Sequence, residues 1–305
     1  MSPLHIGTSD VKINYGVKTA APTSPSPTEG SEYWHKTKNK KYIYNGTDWE
    51  SVTVVAPYTG GTSTHWWTQA GLTSNDGWTA EKGSKNLTRE AGTDSLTYNS
   101  SDSDFNNKKS IGMLSSQTCY LSTSTSGSNG DLWNCKNEGF SIMIVTSKTF
   151  NSHSFGVGDA LFTQADSWNN SDPHWSFEPC GDHIWHQGGQ HWADDNKANI
   201  PNNSTLPYTG IYFLKFNSSG SGGAYWWDDG ATSWTTLGTA SSWPSNGPNS
   251  GGTPGITFFM APHTTASNHR YQGKIADIAY WKGSSISDTE RDLYKDWAVD
   301  EYGFG

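Results

Sequence analysis

The chain has 305 residues, a formal net charge of −9 and only 16% charged residues, against about 25% in an average soluble domain. That acidic balance excludes the basic footprint of a nucleic-acid binder, and no stretch approaches the roughly 20 apolar residues needed to span a bilayer, so no membrane insertion is expected. With 16 Trp, 14 Tyr and 11 Phe, the core is expected to be aromatic rather than aliphatic, because each buried ring removes a large apolar area from water.

Residues 1–20 hold two short extended runs, 5–7 and 11–15. They carry Ile6, Val11, Ile13 and Tyr15 and are read as an N-terminal extended anchor. The start, MSPLHIGTSD, has neither the basic opening nor the apolar core of a signal peptide, so synthesis in a cytoplasm is expected. Cys119 and Cys135 are spaced to pair but Cys180 is left over, which in that compartment favours thiols. Residues 21–30 contain Pro22, Pro25 and Pro27 and are expected to be a semi-rigid linker. Residues 31–56 predict a small aromatic β-meander built on Trp34, Tyr42, Tyr44 and Trp49. Its hairpin is signalled by Asn45-Gly46, and its third strand is expected over 49–55. A meander this small is marginal alone, so a homo-oligomer or another partner is expected.

From residue 57 to 305 short strands alternate with long polar loops. Strands are expected over 140–145, 211–216, 223–227, 256–260 and 274–281, several of them alternating apolar and polar residues. One helix is clearly signalled. Ser287 and Glu290 are spaced as a capping box, Leu293/Trp297 and Tyr294/Ala298 recur at i, i+4, and Gly303 ends it. The fold class expected is all-β with one C-terminal helix.

The segment YQGKIADIAYWKGSSISDTERDLYKDWAVDEYG, residues 271–303, resembles the C-terminal signature of concanavalin A-like (laminin G-like) jelly-roll domains. Gly273, Ile275, Ile278, Tyr280, Ser287, Glu290, Arg291, Tyr302 and Gly303 fall on its positions. GFSIMIVT at 139–146 and the hairpin around Trp227, Asp228, Asp229 and Gly230 are similar to further strands of that fold. The resemblance covers about residues 62–303 and implies a jelly-roll sandwich. Residues 27–52 are similar to a short module of tailed-phage fibre and virion proteins, with Trp34, Tyr42, Tyr44, Gly46 and Trp49 on its key positions. That likeness implies a virion location and partners among other capsid or tail proteins. The reading favoured is capsid decoration, a head fibre or knob. A tail-fibre receptor binder recognising host polysaccharide is the alternative, for which 305 residues are few.

Glycanases of the jelly-roll superfamily carry E-x-D-x-E-type runs on one strand, a spacing suited to retaining hydrolysis. No such run occurs. Asp102 and Asp104 sit in a Ser-rich stretch, while Asp194-Asp195 and Asp228-Asp229 are sequence neighbours. No enzyme is therefore expected, a glycan-active one being the less favoured alternative. Residues 173–195 concentrate His174, His183, His186, His191 and Cys180. His183, His186 and His191 are metal candidates by residue type, but the spacing is not of the paired zinc-finger kind, so no metal is expected. The resemblance brings calcium into question, with Asp76, Asp228 and Asp229 available, yet no Asp-rich loop supports it, so no cofactor is expected. Trp175, Trp185, Trp192, Trp226, Trp227, Asp228 and Asp229 are candidates for binding a surface glycan, since indole faces stack on sugar C–H faces while carboxylates read hydroxyls. In the tandem Trp226-Trp227 one ring is expected to face in and the other out.

Overall fold

The computed structural model describes residues 14–35, 40–52, 60–90, 95–113, 119–123, 138–147, 161–165, 174–177, 185–188, 209–241, 255–259, 271, 273–283 and 286–304. The chain divides into two compact units, Met1–Thr59 and Gly60–Gly305.

The first unit is a four-stranded sheet, β1 (Asn14–Lys18), β2 (Glu32–His35), β3 (Lys40–Tyr44) and β4 (Trp49–Val52), in that order. β1 runs parallel to β2, so the Pro-rich stretch is the crossover between them. Its carbonyls are engaged, that of Pro25 by the Tyr15 hydroxyl and that of Pro22 by Trp49 Nε1 at 3.3 Å. The hub of the unit is Tyr33, 3% exposed. It stacks on Tyr42 at 5.0 Å and meets Trp49 edge-on at 4.8 Å. Tyr15 and Tyr44 close on Trp49 at 5.7 and 5.3 Å. The β3–β4 loop spans four residues rather than the two implied by Asn-Gly. The Asn45 carboxamide accepts from Thr47 N and Asp48 N at 2.9 and 2.8 Å, which closes the longer turn.

The second unit is a two-sheet β-sandwich carrying a C-terminal helix, α1 (Asp288–Tyr302), as expected. One sheet has the order β14 (Trp185–Gly188), β13 (His174–Phe177), β12 (Phe162–Ala165), β18 (Gly255–Phe258), β10 (Tyr120–Ser122), β7 (Leu87–Glu90) and β6 (Gly77–Trp78). The other runs β17 (Thr235–Ala240), β16 (Gly222–Asp228), β15 (Thr209–Phe216), β11 (Phe140–Ser147), β19 (Lys274–Lys282), β9 (Lys108–Gly112) and β8 (Thr97–Asp102), with β5 (His65–Trp67) also paired to β19.

Every residue of β11 is buried, because its sheet is covered on both faces. Phe140, Ile142 and Ile144 enter the core between the sheets. The other face lies under α1. The largest fully buried side chains include Trp67, Trp78, Trp226, Tyr271 and Tyr280, so aromatic rings fill this interior together with Ile and Leu.

The face α1 turns to the sheet is Tyr294, Ala298 and Tyr302, all buried. Leu293, expected on the apolar side, is 47% exposed. The capping box forms by half: the Ser287 side chain accepts from Glu290 N at 3.1 Å. The Glu290 carboxylate instead accepts from Thr62 N at 2.6 Å and from Thr62 Oγ1 at 2.9 Å, tying the start of the unit to its last helix. Gly303 takes φ +75°, and a Cβ there would meet Asn106 Cβ at 3.0 Å.

Candidate functional site

β15 and β16 pair along their length, Phe213 opposite Tyr225 and Ile211 opposite Trp227. Strand alternation then divides the tandem tryptophans. Trp226 points between the sheets, 2% exposed, with its ring 4.3 Å from Tyr212. It is core, and as placed it offers no surface to a glycan. Trp227 lies half-buried on the outer face, in edge contact with Trp234 at 5.5 Å. Lys295 Nζ sits over its ring at 4.4 Å, a cation–π contact.

The same outer face carries Phe213 and Tyr225, stacked at 5.8 Å and 27°. The first turns of α1 lie beside them. The Arg291 guanidinium is 5.5 Å from the Trp234 ring and 6.0 Å from that of Phe213. Its Nε is 2.9 Å from Asp292 Oδ1, which also accepts from Trp234 Nε1 at 3.2 Å. Burial works to raise Asp292, but the Arg291 and Trp234 hydrogen bonds and the Arg291 and Lys295 charges hold its carboxyl below the usual range.

Between the strand end and the helix start opens a cleft of about 350 Å³. It is lined by Phe213, Lys215, Asn217, Ser221, Gly222, Tyr225, Asp288 and Arg291. Phe213 is the buried support, Tyr225 the half-buried ring above it, and Asn217, Ser221 and Asp288 are exposed. Asn217 Oδ1 holds the β15–β16 turn by accepting from Ser219 N at 2.9 Å and Ser221 N at 3.0 Å. Its Nδ2 takes no part in those bonds. An apolar ring among a few converging polar groups is the usual make-up of a small-ligand site.

A second, more polar cleft of about 430 Å³ lies at the other end of the same strands. Ser103, Asp104, Asn106, Asn107, Thr209 and Asp229 line it with the end of α1. Its ring residues Tyr302 and Phe304 are buried, so it lacks a stacking platform. Asp228, next to it in sequence, is raised by burial and by the Asp229 charge, against a backbone hydrogen bond from Asp229.

Of the remaining glycan candidates, Trp175 and Trp185 lie on β13 and β14, with Trp185 opposite Phe177, and Trp192 is outside the described residues. The His- and Trp-rich stretch 173–195 therefore contributes an antiparallel strand pair at the end of its sheet's strand order. His186 is on β14, whereas His183 and His191 are outside the described residues. Among the described residues no three His, Cys, Asp or Glu gather where a metal ion could be held. Asp76, offered for calcium, pairs with Arg89 Nε at 2.9 Å. Of the anchor candidates, Tyr42 and Trp49 pack on Tyr33, which the sequence reading passed over, and Tyr15 and Tyr44 pack on Trp49. Ile6, Val11 and Ile13 are outside the described residues, as is the Trp34 side chain. Cys119 is buried in the core; Cys135 and Cys180 are outside the described residues.

Three acids have the surroundings that catalysis exploits, and each is otherwise engaged. Lys274 Nζ binds Asp102 Oδ1 at 2.9 Å and Asp104 Oδ2 at 2.8 Å. Burial works to raise Asp104, but hydrogen bonds from Lys274 and Ser147 and the Lys274 charge hold it below its ordinary value. Asp277 is pushed up to about 8 by burial, against hydrogen bonds from Tyr294, Trp66 and Tyr302. It is 0% exposed beneath α1, where no substrate reaches it.

Neither a family model nor a curated protein matches the chain. Solved structures do. A GH54 α-L-arabinofuranosidase soaked with a cyclic sulfate inhibitor is similar at TM-score 0.51 and 12% identity, over 83% of this chain and 62% of that one. Domain 4 of AbnA, a GH43 extracellular arabinanase from Geobacillus stearothermophilus in complex with arabinotriose, gives TM-score 0.43 and 12% identity over 79% and 98%. The binding domain of botulinum neurotoxin serotype D/C gives 0.47 and 15% over 79% and 53%. The chain thus spans less than two thirds of the arabinofuranosidase and toxin chains. The arabinofuranosidase likeness shows the fold, a β-sandwich.

Proposed function

We propose that residues 60–305 form a glycan-binding β-sandwich, and that the chain presents it as a non-enzymatic structural protein of a tailed-phage virion. The observation that carries the binding reading is the 350 Å³ cleft, where Tyr225 rests on Phe213 among Lys215, Asn217, Ser221, Asp288 and Arg291. A ring face for sugar C–H groups and a rim of hydroxyl, amide and charged groups are what saccharide recognition requires. Sharing a fold with an arabinofuranosidase is in keeping with this. Binding is preferred over hydrolysis because Asp102 and Asp104 are held by Lys274 and Asp277 is sealed under α1.

The full chain on a glycan array is expected to retain a defined set of saccharides. Tyr225→Ala is expected to weaken that binding at least about tenfold, about 1.4 kcal/mol, with thermal unfolding little changed. A Tyr225→Ala protein that binds as the parent does removes the cleft from the account.

The virion setting is supported by the module-like pattern of Trp34, Tyr42, Tyr44, Gly46 and Trp49. Within it, decoration of the head is the reading put first and a tail receptor binder is the alternative. Gold-labelled antibody against residues 60–305 on purified particles is expected to mark the head. Label at the tail favours the receptor reading, and particles without label overturn the virion premise.

A further inference from the structure

We propose that the saccharide taken by the Tyr225 cleft is anionic, bearing a carboxylate or sulfate that replaces Asp288 between Lys215 and Arg291. The inference rests on the glycan-binding reading and adds the substrate class to it.

Two cations from different elements converge at this cleft in a chain whose formal net charge is −9. Lys215 comes from β15 and Arg291 from α1, and what lies between them is a single carboxylate oxygen. Asp288 Oδ1 is 3.7 Å from Lys215 Nζ and 3.3 Å from Arg291 Nη1. Charge-assisted N–H···O bonds run to about 2.7–2.9 Å, so both contacts are long. One tethered oxygen is shared loosely between two cations that an untethered acid group, with an oxygen for each, can satisfy at shorter range.

The exposures point the same way. The Asp288 side chain is 73% exposed, so its carboxylate returns to water with little change in hydration. Arg291 is 18% and Lys215 30% exposed, so a ligand anion meets partly desolvated charges rather than fully hydrated ones. Arg291 is also pre-positioned, fixed at Nε by Asp292 and laid against Trp234 and Phe213. It need not lose rotamer freedom on binding. Tyr225, paired with Phe213 two residues before Lys215, places a ring face beside the cations, where the sugar carrying the acid group can stack.

The test is titration calorimetry of the full chain with oligosaccharides of equal length that are neutral, uronate-bearing or sulfated, at low and high NaCl. The acidic sugars are expected to bind at least about tenfold tighter at low salt, an advantage that shrinks as salt screens the site. Lys215→Gln is expected to cut that advantage several-fold, lowering acidic affinity by more than neutral affinity. Asp288→Asn, at an exposed position that folding tolerates, is expected to raise the ratio of acidic to neutral affinity several-fold. Equal affinity for neutral and acidic sugars, or an acidic preference indifferent to both substitutions, overturns the inference and leaves glycan binding standing. Failure of every oligosaccharide to bind overturns glycan binding itself and the inference with it.

Discussion

Asp277 shows how much one residue does in this sandwich. Its Oδ1 accepts from Trp66 Nε1 at 2.9 Å and from the Tyr294 hydroxyl, and its Oδ2 accepts from Tyr302 at 3.2 Å, so one carboxyl joins β19, β5 and α1. Burial lifts it to about 8, with the Glu81 charge adding to the rise. The folded chain therefore keeps this proton through a range in which the unfolded chain, titrating near about 4, has released it. The stability this proton contributes is full below that lower value, declines as pH rises, and is gone above about 8. Asp277→Asn removes the titration, so its thermal unfolding midpoint is expected to vary less between about pH 5 and pH 9 than the parent's; parallel profiles contradict the assignment. At this scale the sequence was partly legible. Alternation correctly divided Trp226 from Trp227, but it did not show that Lys295 and Trp234 cover the outward ring. Nor could it bring Lys215 beside Arg291, because their meeting depends on how α1 lies across the sheet.

Among the elements, α1 was the most legible and is the most informative. Ser287, Glu290 and Gly303 mark its ends through local backbone chemistry, which a sequence displays directly. What Glu290 does was not legible, since its partner Thr62 lies 228 residues away. Glu290→Ala removes the acceptor of Thr62 N and Oγ1 and of Trp281 Nε1 at 3.3 Å. It is expected to cost about 1–3 kcal/mol in denaturant unfolding, and a change below about 0.5 kcal/mol contradicts the tie. The strands expected over 140–145, 211–216, 223–227 and 274–281 form as Phe140–Ser147, Thr209–Phe216, Gly222–Asp228 and Lys274–Lys282, all long and rich in apolar residues, and the one expected over 256–260 forms as the shorter Gly255–Phe258. Those missed are short or polar. β8 reads Thr-Tyr-Asn-Ser-Ser-Asp and has no apolar alternation. Its end is secured by the Asp102 contact with Lys274, a long-range ion pair that no local pattern announces.

At the scale of the whole molecule, two units with separate cores divide at Thr59 and Gly60. Residues 60–305 produced alone are expected to fold cooperatively, to keep the glycan affinity of the full chain and, under the proposed virion role, no longer to join the particle. Incorporation of that fragment at the parent level contradicts an anchoring role for the first unit. The second unit brings both clefts to one sheet and one helix, and the claim on which the functional account turns is that saccharide binds at the end formed by Tyr225, Lys215 and Arg291. Hydrogen–deuterium exchange of the full chain, with and without a saturating array-selected glycan, tests it most directly. The account predicts new protection over residues 213–225 and 288–292. Protection confined to the 174–177 and 185–188 strand pair, or to the 103–107 and 229 cleft, contradicts it.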